Sequence, residues 1–258
     1  MKNEVFKPVG QCIYCGSKSA LTREHIVPFG LQGTWVLPKA SCRKCAAVTG
    51  ELERKILRGP LLSVRAATNI KTRRPAERPN TYPMRVVRQG REELRNVPIA
   101  NHFTLLMLPL LPPAAYIDDR PYTHGIDIIG TETIQFGYEP AKLMSRLGAE
   151  SISVTSTWQY VEFARMIGKI AYALAVADFG LSAIAEPYVL PAIMGKVDDI
   201  GRWIGSDNYV FEVEKQGALH ACGTGIFDWR GERLVITKVK LFASAHPSGY
   251  EVIVGRTE

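Results

Sequence analysis

The chain has 258 residues, 46% of them hydrophobic and 22% charged, which is ordinary for a folded protein of one large domain or of two smaller parts. Its most apolar stretch, residues 102–116, is too short to span a bilayer and contains three prolines, so a membrane protein is not expected. Residues 1–90 carry a net charge of +12 (17 basic against 5 acidic residues) and the remainder carries −5. A polyanion would therefore meet the N-terminal third, unless that basic surface is merely solvated.

Four of the five cysteines form two pairs, Cys12 with Cys15 and Cys42 with Cys45, each separated by two residues. One tight turn directs the two sulfurs of a pair at the same ion, and four sulfurs complete a closed tetrahedral site for structural zinc. Disulfides are the alternative, but the N-terminus has no apolar run that would serve as a secretory signal, so we expect a cytoplasmic chain with reduced thiols. Redox chemistry is less favoured, because two such pairs framing a small basic module are typical of a structural site. Cys222 is expected in a strand as a small apolar side chain.

The segment between and after the cysteine pairs predicts strand, strand and helix. Residues 21–29, "LTREHIVPF", form a short extended segment, and residues 31–42 form a return strand or loop. A helix is predicted from about residue 47 or 50 onward, with an apolar stripe through Leu52 and Ile56. Glu24 and His25 would thus lie on the first strand, bracketed by the cysteines.

The rest of the chain predicts a mixed α+β fold. Residues 68–82 are polar, basic and proline-containing, as expected of a linker or an exposed loop. Beyond them the sequence predicts strands at 84–88, 125–130, 133–138, 151–156, 208–213, 234–243 and 250–255, and helices at 158–180 and 191–205. The helix at 158–180 is apolar on most of its surface and should be a central packing element, with the helices buried against a mostly antiparallel sheet.

The two cysteine pairs, together with "LTREHIVP" and "LPKASCRKC" (37–45), resemble the HNH endonuclease family, in particular bacterial members with LTxEHIxP and LPKASCRKC. The resemblance covers about residues 10–58. It implies a ββα-metal finger with a structural zinc (residues 1–67, called the finger below), followed by the basic linker 68–82 and an α+β domain, 83–258, of unknown role. It also implies that His25 is the general base that activates water. Glu24 would bind a catalytic divalent ion, Mg²⁺ or Mn²⁺.

The sequence departs from the family pattern directly after the last cysteine. Family members usually carry Asn or His there, whereas this chain has Ala46 and Ala47, which cannot coordinate a metal. A carboxylate from the following helix would supply the missing oxygen, with Glu53 favoured over Glu51. A solvated acid near the start of a helix is the alternative for both glutamates.

The resemblance implies a metal-dependent endonuclease that hydrolyses phosphodiester bonds of nucleic acid, for which we expect DNA, with little sequence preference and in a defence or mobile-element context. The basic residues expected to contact phosphates are Arg23, Lys39, Arg43, Lys44, Arg54, Lys55 and Arg58. The alternative function is a catalytically weak or inactive finger that binds nucleic acid or a protein. Residues 83–258 contain no recognised site motif, and a homodimer or a regulatory partner through this part stays open.

Overall fold

The computed structural model describes residues 4–72, 75–121, 124–207, 219–245 and 248–258. The strands of this part of the chain are β1 Glu4–Val5, β2 Leu21–His25, β3 Trp35–Cys42, β4 Thr81–Arg88, β5 Arg91–Pro98, β6 Phe103–Leu110, β7 Gly130–Gly137, β8 Ser151–Ser153, β9 Ile204–Asp207, β10 His220–Trp229, β11 Glu232–Leu241 and β12 Gly249–Arg256. The α-helices are α1 Arg43–Arg58, α2 Leu62–Ala67, α3 Ala115–Asp118, α4 Pro140–Leu147, α5 Tyr160–Phe179, α6 Leu190–Ile193 and α7 Ile200–Trp203. None of these described helices is long and apolar enough to cross a membrane.

The N-terminal part consists of a three-stranded sheet and α1. β3 is the central strand; it pairs parallel with β1 and antiparallel with β2. The predicted order of strand, strand and helix is present, but α1 begins at Arg43, four to seven residues before the expected start at residue 47 or 50. The reason is that Cys42 is the residue preceding the helix, so the second cysteine pair is part of its first turn. Buried Leu52 and Ile56 form the predicted apolar stripe of α1.

A β-bulge interrupts the pairing of β2 with β3 close to the Glu-His dipeptide. Thr22 lies opposite Ser41 and Glu24 lies opposite Leu37, so two steps along β2 correspond to four along β3. Lys39 lies in the bulge with a φ of 48°, the left-handed conformation that lets the extra residues fit. Beyond the bulge, Glu24 points inward and is 5% exposed, while the next residue is half-buried at the surface.

The described remainder of the chain confirms a mixture of helices and antiparallel sheet, as the sequence predicts. Its strands form three small sheets rather than one, with the orders β10-β11-β12-β9, β5-β4-β8 and β6-β7, and every pairing in them is antiparallel.

Several predicted elements differ from the observed ones. Residues 125–129 form no strand, because Gly125 has a φ of +75° and its N–H donates to the backbone of Asp198 instead of to a neighbouring strand. The predicted helix at 191–205 is two short helices, α6 and α7, separated at Gly195 with a φ of +68°. The strand expected at 208–213 lies outside the described residues. Strands β5 and β6 and helix α4 are among the elements that were not predicted.

Helix α5 is the central packing element that the sequence predicts. Between Phe163 and Val176 every residue of the helix except Arg165 is buried. The helix packs against α1 on one side and against β10, β11 and β12 on another. One hydrophobic core therefore contains residues of the finger and of the C-terminal part, from Cys12 to Val254. The division of the chain at residues 67 and 83 stays a prediction.

Candidate metal centre and histidine pocket

The four N-terminal cysteines meet in one cluster. Cys12 and Cys15 lie in the loop after β1, Cys42 ends β3, and Cys45 lies in the first turn of α1. Their sulfurs all lie within 4.8 Å of one another, and Cys15 Sγ is 3.7 Å from Cys42 Sγ. A tetrahedral zinc ion with Zn–S bonds of about 2.3 Å holds its sulfurs about 3.8 Å apart. The cluster therefore fits the expected four-cysteine zinc site.

Local backbone geometry prepares this cluster. Gly16 has a φ of +74°, which favours glycine, and its N–H donates to Cys12 O over 2.8 Å, closing the turn of the first pair. All five cysteines of the chain are free thiols. The backbone of Cys45 lowers the pKa of the Cys42 thiol to about 7, whereas burial raises the pKa of Cys12 and that of Cys45. Zinc binding would thus have to release protons from the buried thiols.

Glu24 and Glu53 are brought together, but the group between them is the ammonium of Lys169. Its Nζ lies 2.6 Å from Glu24 Oε1 and 2.9 Å from Glu53 Oε1. The same Nζ donates to the carbonyl oxygen of His25 and, over 3.3 Å, to that of Ile26. Lys169 comes from the middle of α5 and has no exposed surface. Four oxygens from two segments of the chain, residues 24–26 and helix α1, thus surround one ammonium.

The electrostatics keep this ammonium charged. Burial alone would lower the pKa of Lys169, but the carboxylates of Glu24 and Glu53 raise it above its ordinary value. Burial raises the pKa of Glu24, and the neighbouring ammonium opposes that rise. Glu51 has a different environment: it is exposed and pairs with Arg54, whose guanidinium lowers its pKa. Of the two helix glutamates considered from the sequence, Glu53 is the one that binds the same ammonium as Glu24.

His25 lines a surface pocket of about 240 Å³ together with Glu53. Its ring contacts that of Phe29 edge to face, with 5.7 Å between ring centroids. A neighbouring pocket of about 520 Å³ shares part of the same lining. The guanidinium-bearing residues of the two pockets, which we call the arginine groove, are Arg54, Arg58, Arg65 and Arg78.

Backbone and side-chain acceptors hold the arginines of the groove in place. Arg65 donates from Nε to Gly30 O over 2.7 Å and from Nη1 to Leu57 O over 2.8 Å. Arg58 pairs with Glu77 at 3.2 Å, and its side chain is 58% exposed. Because such exposed ion pairs are weak, Arg58 can exchange its partner for a bound anion at little cost.

The seven basic residues expected to contact phosphates lie on several faces of the finger. Only Arg54 and Arg58 of the seven lie at the histidine pocket. Lys55 points to another face of α1 and pairs with Glu162 at 2.9 Å. The others are exposed but line none of the pockets around His25; they are Arg23, Lys39, Arg43 and Lys44. Ala46 is half-buried and Ala47 is exposed.

Sequence reasoning missed Lys169, Arg65 and Arg78. Lys169 carried a recognisable signal, because it is the one charged residue of the apolar run "MIGKIAYALAVA" (166–177). A fully buried lysine is almost always paired with an acid, so a buried acid elsewhere was implied. Nothing in the local sequence of Arg65 or Arg78 indicated that they would belong to the arginine groove.

In comparisons with known proteins, no family model, no curated protein and no solved structure matches this chain.

Proposed function

We propose that this chain is a nucleic-acid phosphodiesterase of the HNH type, with His25 as its general base. The observation that carries the proposal is the histidine pocket, in which His25 and Glu53 lie beside Arg54, Arg58 and Arg65. A phosphodiester needs cationic donors around its phosphate and a base near the attacking oxygen, and arginines and a histidine line this pocket together. The basic N-terminal third, with its net charge of +12, agrees with a polyanionic substrate.

In this proposal each group has a separate role. Arg54 and Arg58 donate hydrogen bonds to the phosphate and neutralise the charge that develops on it. His25 accepts the proton of the attacking water. The cysteine cluster holds a zinc ion that fixes β3 and α1 and takes no part in the reaction.

A catalytic Mg²⁺ or Mn²⁺ does not fit the residues that the resemblance assigns to it. Glu24 and Glu53 would have to coordinate the ion, yet both carboxylates bind the ammonium of Lys169. DNA as the substrate and a defence or mobile-element role stay expectations.

Incubation of the zinc-loaded protein with supercoiled plasmid, duplex DNA and single-stranded RNA tests the proposal. We expect cleavage of at least one substrate by the unaltered chain and a loss of at least 100-fold in His25→Ala, because general-base catalysis contributes about that much or more. His124→Ala is the matched control, since His124 is an exposed histidine outside the finger. Cleavage that survives in His25→Ala, or that is absent with every substrate, would refute the phosphodiesterase.

A second function is favoured by one observation, the ammonium at the place of the catalytic ion. We propose as the alternative that the finger is catalytically inactive and binds nucleic acid through the arginine groove. Binding without cleavage that weakens steeply with salt would support this function, because each phosphate contact releases counterions. No binding at low salt would exclude it.

A further inference from the structure

Lys169 Nζ has the surroundings of a bound cation. Two carboxylate oxygens lie at 2.6 and 2.9 Å, and the carbonyl oxygens of His25 and Ile26 complete the shell. Three of these oxygens come from β2 and the residue after it, and one comes from α1. The carbonyl of His25 belongs to the proposed catalytic residue itself. An ammonium has three protons, so every one of them has an acceptor here.

A divalent ion could not share this site with Lys169. An ion bound by both carboxylates would lie beside the ammonium, and two like charges in a buried site repel strongly. The side chain of Lys169 also cannot move into solvent and vacate the site, because its neighbours in α5, Gly168 and Ile170, are buried in the core. Loss of its proton would leave a buried amine beside two carboxylates, and those carboxylates favour the charged form.

We infer that Lys169 is the resident cation of the Glu24–Glu53 site and that no divalent metal ion binds there. Lys169 thereby also donates a hydrogen bond to the backbone carbonyl of His25. The inference deepens the proposed function: if that function holds, the histidine pocket works without a divalent ion between these two glutamates. The inference itself depends only on the occupancy of the site.

A titration of the zinc-loaded protein with Mn²⁺ tests the inference. Electron paramagnetic resonance measures the free Mn²⁺, and calorimetry measures the heat of binding. We expect no saturable Mn²⁺ site at millimolar Mn²⁺ in the unaltered chain. Lys169→Met removes the ammonium and keeps an apolar stem of similar length, so one Mn²⁺ should bind per chain. The double variant Lys169→Met with Glu53→Gln should bind Mn²⁺ at least tenfold more weakly than Lys169→Met alone.

The outcomes separate this inference from the proposed function, since no nuclease activity is measured. One saturable Mn²⁺ site in the unaltered chain that is lost in Glu24→Gln would overturn the inference. A folded, zinc-loaded Lys169→Met that binds no Mn²⁺ would also overturn it, because the acids would then be no cation site. If Lys169→Met shows no cooperative unfolding transition and is therefore not folded, the unaltered chain and Glu24→Gln still decide. Absence of a saturable Mn²⁺ site in the unaltered chain supports the inference, and a site there that Glu24→Gln abolishes refutes it.

Discussion

At the scale of single residues, Lys169 carries a charge in the interior that the carboxylates of Glu24 and Glu53 compensate. Lys169→Met leaves two carboxylates without their counter-ion, and breaking a buried pair in this way costs about 3–5 kcal/mol of unfolding free energy. We expect this loss at pH 7 and a smaller loss at pH 5, because burial raises the pKa of Glu24 and protonation of that carboxyl relieves the buried charge. Urea unfolding at both pH values measures it.

The matched control for this substitution is Lys142→Met. Lys142 pairs with Glu139 at 2.7 Å, but its side chain is 70% exposed, so its replacement should change the unfolding free energy by less than about 0.5 kcal/mol. Equal effects of the two substitutions would mean that the buried triad contributes nothing beyond a surface pair.

His220 makes the stability of the fold depend on pH. Burial lowers its pKa from 6.5 to about 4; its Nε2–H donates to Leu31 O over 2.7 Å, and its Nδ1 accepts the N–H of Phe242. The unfolded chain therefore binds a proton at higher pH than the folded one. The stabilisation is complete above about pH 6.5 and is lost as the pH falls from there towards 4, by up to about 3 kcal/mol.

The substitution His220→Gln tests this dependence. Its unfolding free energy should be lower than that of the unaltered chain at pH 7, and the difference should shrink by about 3 kcal/mol at pH 4. Exposed His124→Gln serves as the control and should leave the pH profile unchanged. A profile of His220→Gln parallel to that of the unaltered chain between pH 7 and 4 would contradict the assignment.

At the scale of elements, helix α1 presents two different basic surfaces. Arg58 belongs to the arginine groove, whereas Lys55 belongs to another face and is paired with Glu162. If nucleic acid binds in the groove, Arg58→Gln should weaken binding by about tenfold and reduce the slope of log K against log salt by about 1. Lys55→Gln should change both the affinity and the slope less than Arg58→Gln does. Titration of a fluorescent oligonucleotide at several salt concentrations distinguishes the two variants, and an equal loss in both would place the binding surface elsewhere.

At the scale of the whole molecule, the finger and the C-terminal part are joined by buried contacts. Besides Lys169, Tyr172 donates to Ile13 O over 2.7 Å and His220 bonds to Leu31 O. Removing zinc should therefore lower the melting temperature of the entire chain in one transition, because the finger cannot loosen without exposing the shared core. Calorimetry of zinc-loaded and chelator-treated protein tests this expectation. Two separate transitions after chelation would show that the two parts unfold independently.

The sequence predicts features that depend on neighbouring residues and misses those that depend on distant ones. The cysteine pairs and the order of β2, β3 and α1 follow from short spacings, and the apolar composition of α5 indicates its burial. The contact of Lys169 with Glu24 joins residues far apart in the chain, and no local pattern specifies it. The break of the predicted 191–205 helix at Gly195 is an intermediate case: the glycine was visible in the sequence, but its φ of +68° was not.

The ammonium between Glu24 and Glu53 is covalently part of the chain. An ion taken from solution exchanges with its surroundings, and its occupancy varies with the supply of the metal. The ammonium of Lys169 is part of the polypeptide. It enters the site when α5 packs against the finger and is removed from the site only when that packing is lost. On this inference, the state of the site reports whether the chain is folded and is indifferent to the magnesium or manganese content of the cell.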